Sequence, residues 1–114
     1  MQETSGRAEV EADVYSGRPN PTWQLGGADF VELLRLLEQT EEAKPAPPDV
    51  DRLGFRGFEV RFAVAGVQRR LRVNGQSVSD GGRRLFDRSR SIEQFIVMTM
   101  PNDLRRALAD VLPH

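Results

Sequence analysis

Cysteine is absent from the 114 residues. That removes disulfides, thiolate nucleophiles and every zinc site with sulfur ligands. Histidine is nearly absent too: the one imidazole belongs to His114, the final residue, which follows a proline. A catalytic base has to be held within hydrogen-bond reach of its substrate, and a chain end seldom provides that. Ser-His and Cys-His nucleophile pairs are thereby excluded. Metal ligation would have to be all oxygen. The loop carboxylates Asp49 with Asp51 and Asp80 with Asp87 do not match a calcium loop, which needs acids at successive odd positions. They fit turn formers and caps instead. No metal and no cofactor is expected.

Long apolar runs are also missing. No segment approaches the ~20 residues needed to span a bilayer. Met1–Asp13 carries Glu3, Glu9, Glu11 and Asp13 where a signal peptide would have a basic start and an apolar run. The cytoplasm is the expected location, by elimination.

The charges that are present are unevenly placed. Residues 1–54 hold eleven acids and five bases, whereas residues 55–114 hold six acids and eleven bases. Fifteen of the sixteen bases are arginine, with Lys44 the exception. Guanidinium forks suit bidentate contacts, although a GC-rich genome produces the same bias.

Periodicity predicts a single α+β domain over residues 1–114, frayed over 1–7. Ala8, Val10, Ala12 and Val14 alternate with Glu9, Glu11, Asp13 and Tyr15, a strand with one buried face. Phe30, Leu33, Leu34 and Leu37 form a helical stripe within 29–41, with Asp29 and Glu32 as a capping box. Residues 44–54 begin Lys44-Pro45-Ala46-Pro47-Pro48 and read as an extended connection. A meander follows. Phe58, Val60, Phe62 and Val64 face inward on one strand; Val67, Arg69, Leu71 and Val73 do so on the next. Asn74-Gly75 predicts a type I′ hairpin turn into a fourth strand at 76–79, and Leu85-Phe86 a short edge strand. Ser91 with Gln94 fits a second capping box, and Pro101 opens the last helix. The expected order is β-α-β-β-β-α-α: an antiparallel sheet of about four strands with three helices on its apolar face.

Candidate sites follow from this frame. The glycines of Leu25-Gly26-Gly27-Ala28-Asp29 lead into a helix, but Asp29 and Glu32 would repel a phosphate there. Between Arg56 and Arg90 stand nine arginines and three acids. A basic sheet with aromatics can stack single-stranded nucleic acid. Here Phe58 and Phe62 share the buried face, and Glu9, Glu11 and Asp13 are expected opposite Arg61, Arg70 and Arg72. Nucleic-acid binding ranks third for that reason.

The most distinctive stretch is Ser16-Gly17-Arg18-Pro19-Asn20-Pro21-Thr22-Trp23. Its prolines fix φ and restrict Arg18 and Asn20 before them. Trp23 is placed to anchor the far end in the core. This element resembles one shared by small, uncharacterised bacterial proteins with a Ser-Gly-Arg-Pro-Asn-Pro loop followed by tryptophan. The likeness extends to Leu53-Gly54-Phe55-Arg56-Gly57-Phe58 and to Leu85-Phe86-Asp87. It brings no activity with it. Arg18 is expected to lock the loop internally, with Asp87 or the Gly54 region as partner, and Asn20 to face outward. Candidate contacts for a protein partner or a small anionic ligand are Arg18, Asn20, Trp23, Arg56 and Asp87. The expected function is a non-catalytic binding or accessory protein. The alternative is a small carboxylate-dependent enzyme.

Overall fold

Alternating apolar and charged residues can satisfy both solvent and core only as a sheet with one covered face. The computed structural model, which describes residues 6–14, 19–42, 57–110 and 112, carries this further than the sequence predicts. The sheet has seven strands, not about four. In chain order the elements are β1 (Arg7–Ala12), β2 (Thr22–Gly26), α1 (Ala28–Glu38), β3 (Glu41–Glu42), β4 (Phe58–Val64), β5 (Val67–Asn74), β6 (Ser77–Asp80), β7 (Arg83–Phe86), α2 (Ser91–Thr99) and α3 (Asn102–Ala107). Across the sheet the order is β2-β1-β4-β5-β6-β7-β3, and every neighbouring pair is antiparallel.

The extra strands have physical causes. β2 pairs with β1 along its whole length because Trp23 and Leu25 alternate with exposed Thr22, Gln24 and Gly26. β3 covers β7, so Leu85 and Phe86 are not an edge. The first helix therefore ends at Glu38, and Glu41 belongs to a strand.

One core lies between the sheet and the helices. Val10, Phe58, Val60, Leu71, Val73 and Val78 form its sheet side, all fully buried. Phe30 of α1 meets the Phe62 ring edge to face at 5.7 Å, and Trp23 meets Phe58 likewise at 6.1 Å. Such pairs add ~0.5–1.5 kcal/mol beyond area burial. The Trp23 indole donates to the Thr99 hydroxyl at 3.1 Å, tying β2 to the end of α2.

Neither expected capping box forms. The residue preceding α1 is Gly27 at φ +56°, and Glu32 pairs with Arg35 instead. Before α2, Arg90 sits in the left-handed region, and the Asp87 carboxylate accepts from the Ile92 amide at 2.7 Å.

The turn chemistry is also shifted. Asn74 pairs with Ser77, so the two loop residues are Gly75 and Gln76. Only Gly75 has positive φ there, which fits a glycine-first type II′ turn rather than type I′. The turn with two positive φ values is Ala65-Gly66, at +53° and +77°, closed by Val64 and Val67. Gly57, at φ +111°, lies so close to the next strand that a Cβ would meet the Val73 carbonyl at 2.9 Å.

Candidate functional site

The solvent face of the sheet is a charge lattice. The register sets Glu9, Arg61 and Arg70 in one row and Glu11, Glu59 and Arg72 in the next. Arg61 lies at the centre, with its guanidinium 2.6 Å from Glu9, 3.0 Å from Glu11 and 2.8 Å from Glu59. Arg70 reaches Glu59 at 3.3 Å, and Arg72 reaches Asp13 at 3.3 Å. Glu9, Glu11 and Asp13 thus share the outer face with Arg61, Arg70 and Arg72, as the alternation predicts. Three carboxylates hold the Arg61 guanidinium well above its ordinary pKa, Glu9 and Glu59 most strongly. Glu11 is held below the ordinary carboxylate value, first by the Asn20 amide and then by Arg61.

Asn20, half-buried, therefore turns back onto the outer-face acids instead of making the expected outward contact. Its amide donates to Glu11 at 2.9 Å and to Asp13 at 3.5 Å, while its carbonyl accepts from the Val14 amide at 3.1 Å. Proline on either side presents Asn20 in one direction, and that direction is back across β1. Trp23 is buried, an anchor as its apolar body requires. Asp87 is buried beneath the start of α2, where its carboxylate serves the helix terminus. Arg18, Arg56, Asp49 and Asp51, the 44–54 connection and most of the Leu53–Phe58 element lie outside the described residues. Of the candidate contacts, the described ones are Asn20, Trp23 and Asp87, and each has a bond within the chain.

A different feature is concave. Between the C-terminal half of α1 and strands β4 to β7 lies a cleft of about 400 Å³. Its apolar floor is Leu34, Leu37, Val64 and Leu85. Its polar lining is Glu38, Thr40, Arg69, Asp80 and Arg83, two acids against two bases. Arg69 sits on the helix side of β5 because it shares the parity of Leu71 and Val73. It survives there by stacking over the Phe62 ring, 5.2 Å from its centroid, and by pairing with Asp80. Arg83 is more open: its side chain is 60% exposed, and Glu42 stands 3.9 Å away. The volume lies within the range of about 300–1,000 Å³ typical of small-ligand sites.

Glu93 was not anticipated at all. It is 2% exposed on α2, and its carboxylate accepts from the Gly75 amide at 2.7 Å. Beside the apolar Ile92 and Ile96, it is the one acid in that helix, which is the signal the sequence offered.

No protein-family model matches this chain, and no curated protein or solved structure is significantly similar to it.

Proposed function

We propose that the chain is a non-catalytic binding protein that takes a small anionic ligand with an apolar body in the cleft between α1 and β4–β7. The observation that supports this is an apolar floor flanked by Arg69 and Arg83, with Asp80 paired to Arg69, Glu38 the other acid in the lining, and Arg83 the more open base. A guanidinium fork suits a carboxylate, and Asp80 already pairs with one nitrogen of Arg69. Arg83, with only a distant partner, is the group to which an incoming carboxylate would bind. Leu34, Leu37, Val64 and Leu85 would cover the ligand's hydrocarbon. The cleft on the helix side of the sheet supports this reading, and not the Ser16–Trp23 loop, of which Asn20 bonds Glu11 and the Val14 amide.

No helix among the described residues is long and apolar enough to cross a membrane. The same proposal places the protein in the cytoplasm, which its cysteine-free composition permits.

Calorimetric titration with octanoate and with octanol tests the proposal. At roughly −0.3 kcal/mol per non-hydrogen atom, octanoate should bind with millimolar affinity or better. Octanol and the Arg83→Gln variant should bind at least tenfold more weakly. Equal binding of octanoate and octanol, or octanoate binding unchanged in Arg83→Gln, would overturn it.

A further inference from the structure

The seven-stranded sheet ends on two unlike edges. On one side β3 has two residues, both glutamate, and Arg83 and Arg88 reach Glu42 and Glu41 at 3.9 and 3.4 Å. Shortness and charge are the usual devices that keep a sheet edge from pairing further. The other edge has neither. β2 is five residues long, carries no charge and keeps strict alternation throughout.

The register fixes where its backbone points. The Ala12 amide donates to the Pro21 carbonyl at 3.0 Å, so Ala12 and Pro21 form a hydrogen-bonded pair. In an antiparallel ladder such pairs alternate with open ones. Trp23 and Leu25, opposite Val10 and Ala8, therefore turn their backbone groups toward β1. The N–H and C=O groups of Thr22, Gln24 and Gly26 point away from it. The buried side chains of Trp23 and Leu25, with the indole bond to Thr99, keep this edge straight and in place.

We propose that a second copy of this chain pairs with β2, antiparallel, about a two-fold axis through Gln24, so that one sheet runs into the next. The edge is self-complementary in that arrangement. Gln24 faces Gln24 of the second copy, and each side-chain amide both donates and accepts. Thr22 faces Gly26, so small residues meet without crowding. All three positions have outward backbone groups, and each N–H finds a carbonyl. No charge is duplicated across the axis, whereas any charge on β2 would be set near its own copy. β2 itself carries no charge to select a foreign strand, and the charges that share an open hollow with Gln24, those of Arg7, Glu9 and Arg61, belong to β1 and β4. A five-residue pairing buries less than the roughly 800 Å² per partner of a standard interface, so the dimer is weak and concentration-dependent.

Sedimentation velocity across about 10 µM to 1 mM reads this directly, a range chosen for an interface below standard size. The parent should shift from monomer toward dimer across the series. Gln24→Pro removes an outward N–H that β1 does not use, and should stay monomeric at the highest concentration. Gln24→Lys sets two like charges against each other and should also remain monomeric. It keeps every backbone group, so it answers the question if the proline variant fails to fold. Mixing Gln24→Lys with Gln24→Glu should restore the dimer, because only a two-fold contact at residue 24 sets the two side chains opposite each other. A parent that stays monomeric at the highest concentration, or a Gln24→Lys variant that dimerises as the parent does, would overturn the proposal.

Discussion

Glu11 of β1 and Glu59 of β4 stand directly opposite each other in the ladder, and one nitrogen of Arg61 bridges them, at 3.0 and 2.8 Å. Like charges in that position repel across a sheet. A single guanidinium serves both carboxylates and Glu9 as well, with Arg70 a second partner of Glu59 and the Asn20 amide a second partner of Glu11. Arg61→Gln should therefore cost more than an ordinary surface ion pair, about 2 kcal/mol in urea denaturation. A double variant, Arg61→Gln with Glu59→Gln, should recover part of that loss. A single variant as stable as the parent would show that the lattice is ornamental.

The same lattice sets a pH dependence. Glu11 is held below its ordinary value of 4.5, with the Asn20 amide the leading cause and Arg61 the next. A group with a depressed folded pKa contributes its stability fully above the unfolded value and loses it as pH falls through the folded one. Melting temperature should accordingly drop as the solution is taken from pH 5 downward through the acid range. Asn20→Ala should lower the neutral-pH melting point and flatten that slope. A slope identical in parent and variant would contradict the Asn20 bond to Glu11.

Outer-face arginines paired in this way present little unopposed positive charge. Titration with single-stranded oligonucleotide at low salt should give no binding tighter than a few micromolar, a loose bound set by ordinary non-specific affinity. Tight binding that weakens steeply with salt would show that the face opens.

Turn geometry gives a stabilising prediction. Ala65 is at φ +53° in the position where asparagine is favoured before glycine. Ala65→Asn should stabilise the protein by about 1 kcal/mol, the order of the penalty for alanine in the left-handed region. Gly75→Val should instead destabilise, by clashing with a φ of +62° and disturbing the Glu93 bond to the Gly75 amide. Thermal melts of the two variants should move in opposite directions.

β1, β4 and β5 were legible because alternation is a local signal, and Glu9 to Asp13 against Arg61 to Arg72 followed from it. β2 was hidden. Trp23 and Leu25 give only one repeat between Pro21 and Gly26-Gly27, too little to distinguish a strand from a loop. β3 is two glutamates whose strand character exists only through β7. The Asn74-Gly75 turn was misplaced by one residue because Asn74 is buried in the ladder, which composition cannot reveal. Asn20 was expected to make an outward contact from a proline-restricted loop, yet it bonds Glu11 and Asp13, whose outer face was already assigned. The cleft brings α1, β4, β5, β6 and β7 together from distant parts of the chain. Its one trace in the sequence was Arg69, a charge at the parity of Leu71 and Val73.

The cleft is the centre of this account, and methyl-resolved NMR during an octanoate titration tests it most directly. The account predicts saturable shifts concentrated in the methyls of Leu34, Leu37, Val64 and Leu85, with Val10 and Val73 of the closed core unmoved. Shifts scattered over the surface without saturation, or confined to residues away from α1 and β7, would contradict it.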